Sequence, residues 1–308
     1  MHLSRRQVLA HRRRNALHTG LLLGAMALWT GLLGWVLAGP LGALAGLGTG
    51  VFAMVAAGQV SPWVVLRMYG ARPLHLREAP DLHRLVRALA KRARLEAVPA
   101  VHYIPSAVPN ALSVGSRATP AIAVTDGLLR RLSPREVTGV LAHEISHITN
   151  GDLRVMAIAD SFARFTGVLG QVGFALLLLG MCLVQPALVW AALVLVSGPT
   201  LTTLLMLGLS RQREHAADLE AVTLTGDPRG LASALQRIEQ PTRFWEHLVG
   251  LPGRDLQPSL LRTHPATEDR IRRLLQLEAQ PEPLPEPRWA EVPTVTRPPG
   301  RQWWGPWL

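Results

Sequence analysis

The chain has 308 residues, 48% of them hydrophobic, with a formal net charge of +11 and one cysteine; its mean hydropathy is +0.20. The lone Cys182 excludes a disulfide framework and a thiolate zinc site. The basic excess does not read as a nucleic-acid surface, because Lys and Arg flank apolar runs, as they do in the cytoplasmic loops of membrane proteins.

Residues 1–15 form a basic arm carrying Arg5, Arg6, Arg12, Arg13 and Arg14. Residues 16–39 are apolar and long enough to cross a bilayer, which takes about 20 residues. A signal peptide is the competing reading, helped by Val36-Leu37-Ala38 before Gly39. A second apolar run, 41–66, has Gly42, Gly46 and Gly50 at the spacing that lets helices approach closely. Arg67, Arg72 and Arg77 follow it. Basic residues on both sides favour a membrane hairpin over 16–66 with both ends in the cytoplasm.

Residues 67–280 read as one domain, interrupted at 167–209 by a second apolar hairpin. Residues 81–96 have the apolar spacing of an amphipathic helix. The stretch "AVHYI" reads as a strand, and 111–115 with 121–125 as a β-hairpin around Gly-Ser-Arg. Ser133-Pro134-Arg135-Glu136 is a sharp helix start: Ser133 is the N-cap, Pro134 the first helical residue, and Glu136 closes a capping box. Asn150-Gly151 ends or interrupts that helix. Two apolar runs follow, 167–184 and 187–209, parted by Gln185-Pro186. The first is near the lower length for a span, so a re-entrant pair is the alternative. Asp227-Pro228 starts another helix, and "THPATEDRIRRLLQLEAQ" is a further one, with Glu268 and Asp269 in its first turn. The tail, 281–308, has seven prolines between Pro281 and Pro299 and reads as flexible. Its Trp303, Trp304 and Trp307 suit either a membrane interface or an exposed end. The expected fold is mainly α with a small β-hairpin or sheet, in a multi-pass membrane protein.

The chemistry centres on "LAHEISHITNGD", residues 141–152. His143 and His147 are one helical turn apart on one face, so both can reach one ion. Glu144 is turned about 100° away, near enough to take a proton from an attacking water without itself binding metal. A catalytic zinc site needs a third protein ligand. Downstream, "SRQREHAADLE" offers Glu214 and Asp218, four apart on one face. Glu214 can bind the metal, with Asp218 fixing the tautomer of a zinc histidine. The plain alternative pairs both with Arg211 and Arg213 on a solvated face. His215 is a helical step away and incidental. If His147 and Glu214 share one ion, the segment between them crosses the membrane an even number of times, which fits two apolar runs.

"HEISHITNGD" followed by "SRQREHAAD" resembles the HtpX family of membrane-bound zinc endopeptidases, relatives of the CAAX prenyl endopeptidases. "NALSVG" and "THPATEDRI" are also similar to family segments, and the resemblance spans residues 66–276. It implies a zincin-like domain with one Zn2+ held by His143, His147 and Glu214. It also implies Glu144 as catalytic base and Asp218 as orienter of a histidine. "NALSVG" departs from the commoner aromatic residue after Asn-Ala. The implied setting is the cytoplasmic face of an inner membrane, with the lipid bilayer and misfolded or damaged membrane proteins as partners.

Secondary candidates are His264, as an oxyanion donor or a helix-start residue, and Arg270, as site support or a surface arginine. Asn110 either hydrogen-bonds substrate backbone or is a turn residue, at the start of a hairpin whose edge could dock an extended peptide. Two other functions compete: maturation of one peptide or lipidated precursor, and a non-catalytic membrane scaffold, which the intact HExxH opposes.

Overall fold

The computed structural model describes residues 5–56, 62–248 and 267–277. Expectations for the tail after 281, and for His264, lie outside these residues.

Helix α1 (Arg5–Ala56) is two helical arms. At Ala38 and Gly39 the backbone leaves the helical region, Gly39 with φ 59° and ψ −144°, a conformation open to glycine. Beyond this point the chain doubles back on itself. Thr30 Oγ1 donates to the Gly46 carbonyl at 3.1 Å. A Cβ on Gly34 would lie 2.0 Å from the Gly42 carbonyl oxygen, so the arms meet backbone to backbone. The run expected over 41–66 is divided: Pro62 opens a separate short helix, α2 (Pro62–Met68). Leu66 of α2 is buried among Ile104, Leu112 and Val114 of the sheet rather than facing lipid.

The sheet has four strands in the order β1-β2-β4-β3. They are β1 (Arg72–Pro73), β2 (Ala100–Ile104), β3 (Ala111–Gly115) and β4 (Pro120–Thr125). β2 and β4 run parallel, while β3 lies antiparallel to β4 and forms the edge. The hairpin expectation therefore holds, and β1 is an addition. Helix α3 (Pro80–Arg92) stops short of the expected Glu96. Arg94 adopts φ 54°, and Leu95 N–H bonds back to the Ala90 carbonyl at 3.0 Å, a closing turn that ends the helix.

After the short α4 (Asp126–Arg131) comes α5 (Pro134–Asn150). Its capping box is formed as expected, and Gly151 closes it at φ 67°. Val137, Leu141, Ile145 and Ile148 enter the main core with Ile122 and Val124 of the sheet, Leu85 and Leu89 of α3, and Leu231 of α8 (Pro228–Leu248). The opposite face of α5 carries both histidines.

The two long helices run past their apolar cores. α6 (Asp152–Cys182) has 31 residues and α7 (Pro186–Thr225) has 40. At 1.5 Å per residue α6 is about 46 Å long, beyond the roughly 30 Å of a hydrocarbon core. Among the described residues three stretches, in α1, α6 and α7, are long and apolar enough to cross a membrane. They pack on one another through Leu33, Leu169 and Leu195, and through Met26, Phe162, Met206 and Leu209. Leu21, Leu28, Trp35, Phe174, Leu178 and Trp190 stay exposed, an apolar outer surface suited to lipid. Cys182, at the far end of α6, is also exposed. Helix α9 (Thr267–Gln276) returns to the base of the bundle against α7 and α8.

Candidate metal centre

The capped N-terminus of α5 fixes the helix, and the helix fixes the histidines. His143 Nε2 and His147 Nε2 point to the same spot, 3.1 Å apart. Glu214 comes to them from α7. Its Oε2 lies 3.4 Å from His143 Nε2, and its Oε1 3.6 Å from His147 Nε2. The three residues offer ligand atoms all within 4.8 Å of one another.

Each histidine has a carboxylate close to its other nitrogen. His143 Nδ1 lies 3.0 Å from Asp218 Oδ1, one turn beyond Glu214 on α7. His147 Nδ1 lies 2.7 Å from Asp152 Oδ2, at the first residue of α6. Such carboxylates hold the ring nitrogens in register and leave Nε2 free for a ligand. Asp152 reaches His147 because Gly151 turns the chain through the left-handed region between α5 and α6.

Arg270, on α9, is buried at 3% exposure. Its guanidinium bonds Asp218 through Nε at 2.8 Å and Nη2 at 2.6 Å, and its Nη1 lies 2.8 Å from Glu214 Oε2. The surface-arginine alternative is thereby excluded. So is the pairing of Glu214 and Asp218 with Arg211 and Arg213: Arg213 turns to Asp152 at 2.7 Å, and Arg211 is exposed.

Burial alone would lower the pKa of His143, but hydrogen bonds to Asp218 and Glu214 outweigh it and push the imidazole up to about 10. Burial also opposes charge on His147, and Asp152 again outweighs it, raising its pKa.

A tetrahedral ion with bonds of about 2.0–2.1 Å keeps its ligand atoms roughly 3.3–3.4 Å apart. The separation between the two histidine nitrogens, 3.1 Å, and those from a histidine nitrogen to the nearer glutamate oxygen, 3.4 Å to Oε2 and 3.6 Å to Oε1, lie near that value. Two imidazoles and a carboxylate, each held from behind, are a donor set that fits zinc.

A cavity of about 310 Å³ opens over this cluster. Glu144 lines it beside His143, His147 and Glu214, and Asn110 with Ala111, Leu112 and Ser113 of the edge strand forms part of its wall. Leu153, Met156, Leu231, Leu235 and Ile238 make other parts of the lining apolar. Of the sequence candidates, His143, Glu144, His147, Glu214, Asp218 and Asn110 thus come together. His215 sits apart, its Nε2 buried without a hydrogen bond among the described residues. Asp152 escaped the sequence reading, and Arg213 entered it only as a partner for Glu214 and Asp218 on a solvated face. Asp152 had a signal, an acid directly after the helix-ending Asn-Gly; Arg213 had none beyond standing next to Glu214.

Comparison with known proteins agrees with this geometry. Residues 76–278 match peptidase family M48. A relative described as "Protease HtpX homolog" from Acaryochloris marina is 38% identical over 281 residues, covering 86% of this chain and 96% of the relative. Another of that description, from Pyrococcus furiosus, is 37% identical over 280 residues, covering 84% and 94%. One from Aquifex aeolicus is 34% identical over 271 residues, covering 80% and 87%. The chain belongs to peptidase family M48, in its HtpX group. It is a metallopeptidase with helices suited to a bilayer, and its substrates are polypeptides.

Proposed function

We propose that this protein is a zinc-dependent endopeptidase of the inner membrane that cleaves misfolded or damaged membrane proteins at the cytoplasmic face. The observation that carries the reading is the convergence of His143, His147 and Glu214 from two helices, with carboxylates behind both histidines. These three residues would hold the ion. Bound there, zinc supplies Lewis-acid polarisation of the scissile carbonyl and of water.

The chain's own groups do the rest. Glu144 takes the proton of the attacking water and passes it to the leaving amine. Asp218 and Asp152 keep both imidazoles oriented. An extended substrate lies along β3, the edge strand, where Asn110 hydrogen-bonds its backbone. His264, three residues before α9, donates to the tetrahedral oxyanion. Arg67, Arg72, Arg77 and the basic residues of α3 favour the cytoplasmic side for this domain. The domain limits expected from the sequence, a basic arm 1–15, a membrane hairpin 16–66 and a catalytic domain 67–280 interrupted at 167–209, fit the same reading, with α2 moved from the hairpin to the catalytic domain.

The test uses full-length protein in detergent with an unstructured polypeptide. Cleavage should stop with a chelator, return with zinc, and be absent in Glu144→Gln. Full cleavage by Glu144→Gln would sink the mechanism. In cells carrying that variant, many uncut membrane proteins should accumulate; a single accumulated precursor would instead favour a maturation protease.

A further inference from the structure

His18 and Thr19 are the polar residues at the start of an otherwise apolar arm, 16–29. Polar side chains at the edge of a membrane helix are costly to place against lipid and usually have partners. Both have them here, and both partners stand on α7 next to Glu214. His18 Nδ1 lies 2.8 Å from Gln212 Nε2. Thr19 Oγ1 accepts from Arg213 Nη2 at 2.7 Å, a contact between residues 194 apart in sequence.

From Arg213 the contacts continue inward. Arg213 Nη1 donates to Asp152 Oδ1 at 2.7 Å, and Asp152 Oδ2 meets His147 Nδ1 at 2.7 Å. The three residues behind His147 are shielded: Thr19 is 7% exposed, Arg213 7% and Asp152 3%. Arg213 Nε has no hydrogen-bond partner among the described residues. The plane of its guanidinium is therefore set by two anchors, Asp152 at one end and Thr19 at the other. A second, apolar contact runs alongside, since Met156 lines the cavity and also packs in the cluster that holds Met26 of α1.

We infer that Thr19, on the membrane hairpin, is a positioning residue for the candidate metal centre, acting through Arg213 and Asp152 on His147. The hairpin is then part of the enzyme's working structure rather than an anchor alone. Removing the Thr19 hydroxyl leaves a buried Arg213 N–H without its acceptor, and the guanidinium can tilt. Asp152 follows it, and the brace on the His147 ring loosens. Partners of this kind, directly behind a metal histidine, are worth about 10- to 100-fold in metal affinity, and one placed further out is worth less.

The inference rests on the reading of His147 as a metal ligand. Zinc affinity of full-length protein in lipid nanodiscs, measured against a chelating dye, tests both separately. Thr19→Val should bind zinc about 3- to 10-fold more weakly. Thr19→Ser, which keeps the hydroxyl, should match the parent. Thr30→Val is the control, because among the described residues the Thr30 hydroxyl bonds only to carbonyls of Ala27 and Gly46 within α1. Unchanged affinity in Thr19→Val, or an equal loss in Thr30→Val, overturns the inference while His147→Ala still abolishes binding. Retention of parental zinc affinity by His147→Ala overturns the ligand reading itself.

Discussion

Two helices supply the candidate metal ligands, and they do so in different ways. α5 is short, begins at a capping box and ends at a left-handed glycine, so its own sequence fixes where His143 and His147 point. α7 is 40 residues long, and Glu214 stands in its last third, after a long apolar stretch that contains Pro199. Nothing local places Glu214. Its position comes from the packing of α7 on α6 and on the first arm of α1, and from Arg270 on α9. The contrast teaches that half of the site is secured by neighbours in sequence and the other half by the membrane bundle.

Changes on the α7 side should therefore be the more damaging. Glu214→Ala should cost more than about 100-fold in zinc affinity, beyond the usual loss for a supporting partner, and cleavage should fall below detection; metal analysis and a proteolysis assay read both. Next in size, Arg270→Ala leaves Glu214 and Asp218 buried together without their counter-charge. It should destabilise the protein by about 3–5 kcal/mol in denaturant unfolding, with Arg270→Lys losing less. Smaller still, Gly34→Val forces the arms of α1 apart and should cost about 1–3 kcal/mol. Gly20→Val, where an added Cβ meets nothing within 4 Å, should cost much less in the same unfolding experiment. Should Gly34→Val also weaken zinc binding, the dependence of Glu214 on the bundle is confirmed directly.

The α5 side should give the smallest effect. Ser133→Ala removes a helix cap worth about 1 kcal/mol. Its partner Glu136 adds a pH signature. Burial would raise the Glu136 pKa, but hydrogen bonds from Ser233 and Ser133 and the charge of Arg237 outweigh it, so the folded value lies below the ordinary 4.5. A depressed carboxyl contributes stability above its unfolded pKa and loses it as pH falls through the folded one. The stability gap between the parent and Glu136→Gln should stay constant from pH 7 to about 5 and narrow below that. A gap that widens on acidification would contradict the assignment.

What the sequence discloses follows the same division. The capping box, Gly151, the HExxH spacing and the β3–β4 hairpin are all local patterns, and all are present as expected. Glu214 and Asp218 were legible as a face of a helix, and Arg270 as a candidate for site support, but its pairing with both carboxylates was not, because Arg270 arrives from 52 residues beyond Asp218. β1 escaped because its two residues owe their strand geometry to pairing with Tyr103 and His102, about thirty positions away. The extent of α6 was hidden for another reason. Hydropathy reports surroundings rather than helicity, and the polar turns before residue 167 continue the same helix, with Asp160 and Arg164 paired one turn apart at 2.8 Å. The chain from Thr19 to His147 had no local signal beyond the acid after Asn150-Gly151; it joins four helices, α1, α7, α6 and α5, through single side chains.

The one thiol has a practical consequence. Cys182 is exposed at the tip of α6, about 46 Å along the helix from Asp152 at the metal-site end. The unaltered protein thus carries a depth gauge. A thiol reagent unable to pass the membrane, added from the side opposite the metal centre, marks Cys182 when α6 and α7 cross completely and spares it when they only dip into the bilayer. The answer comes without introducing or removing a single residue.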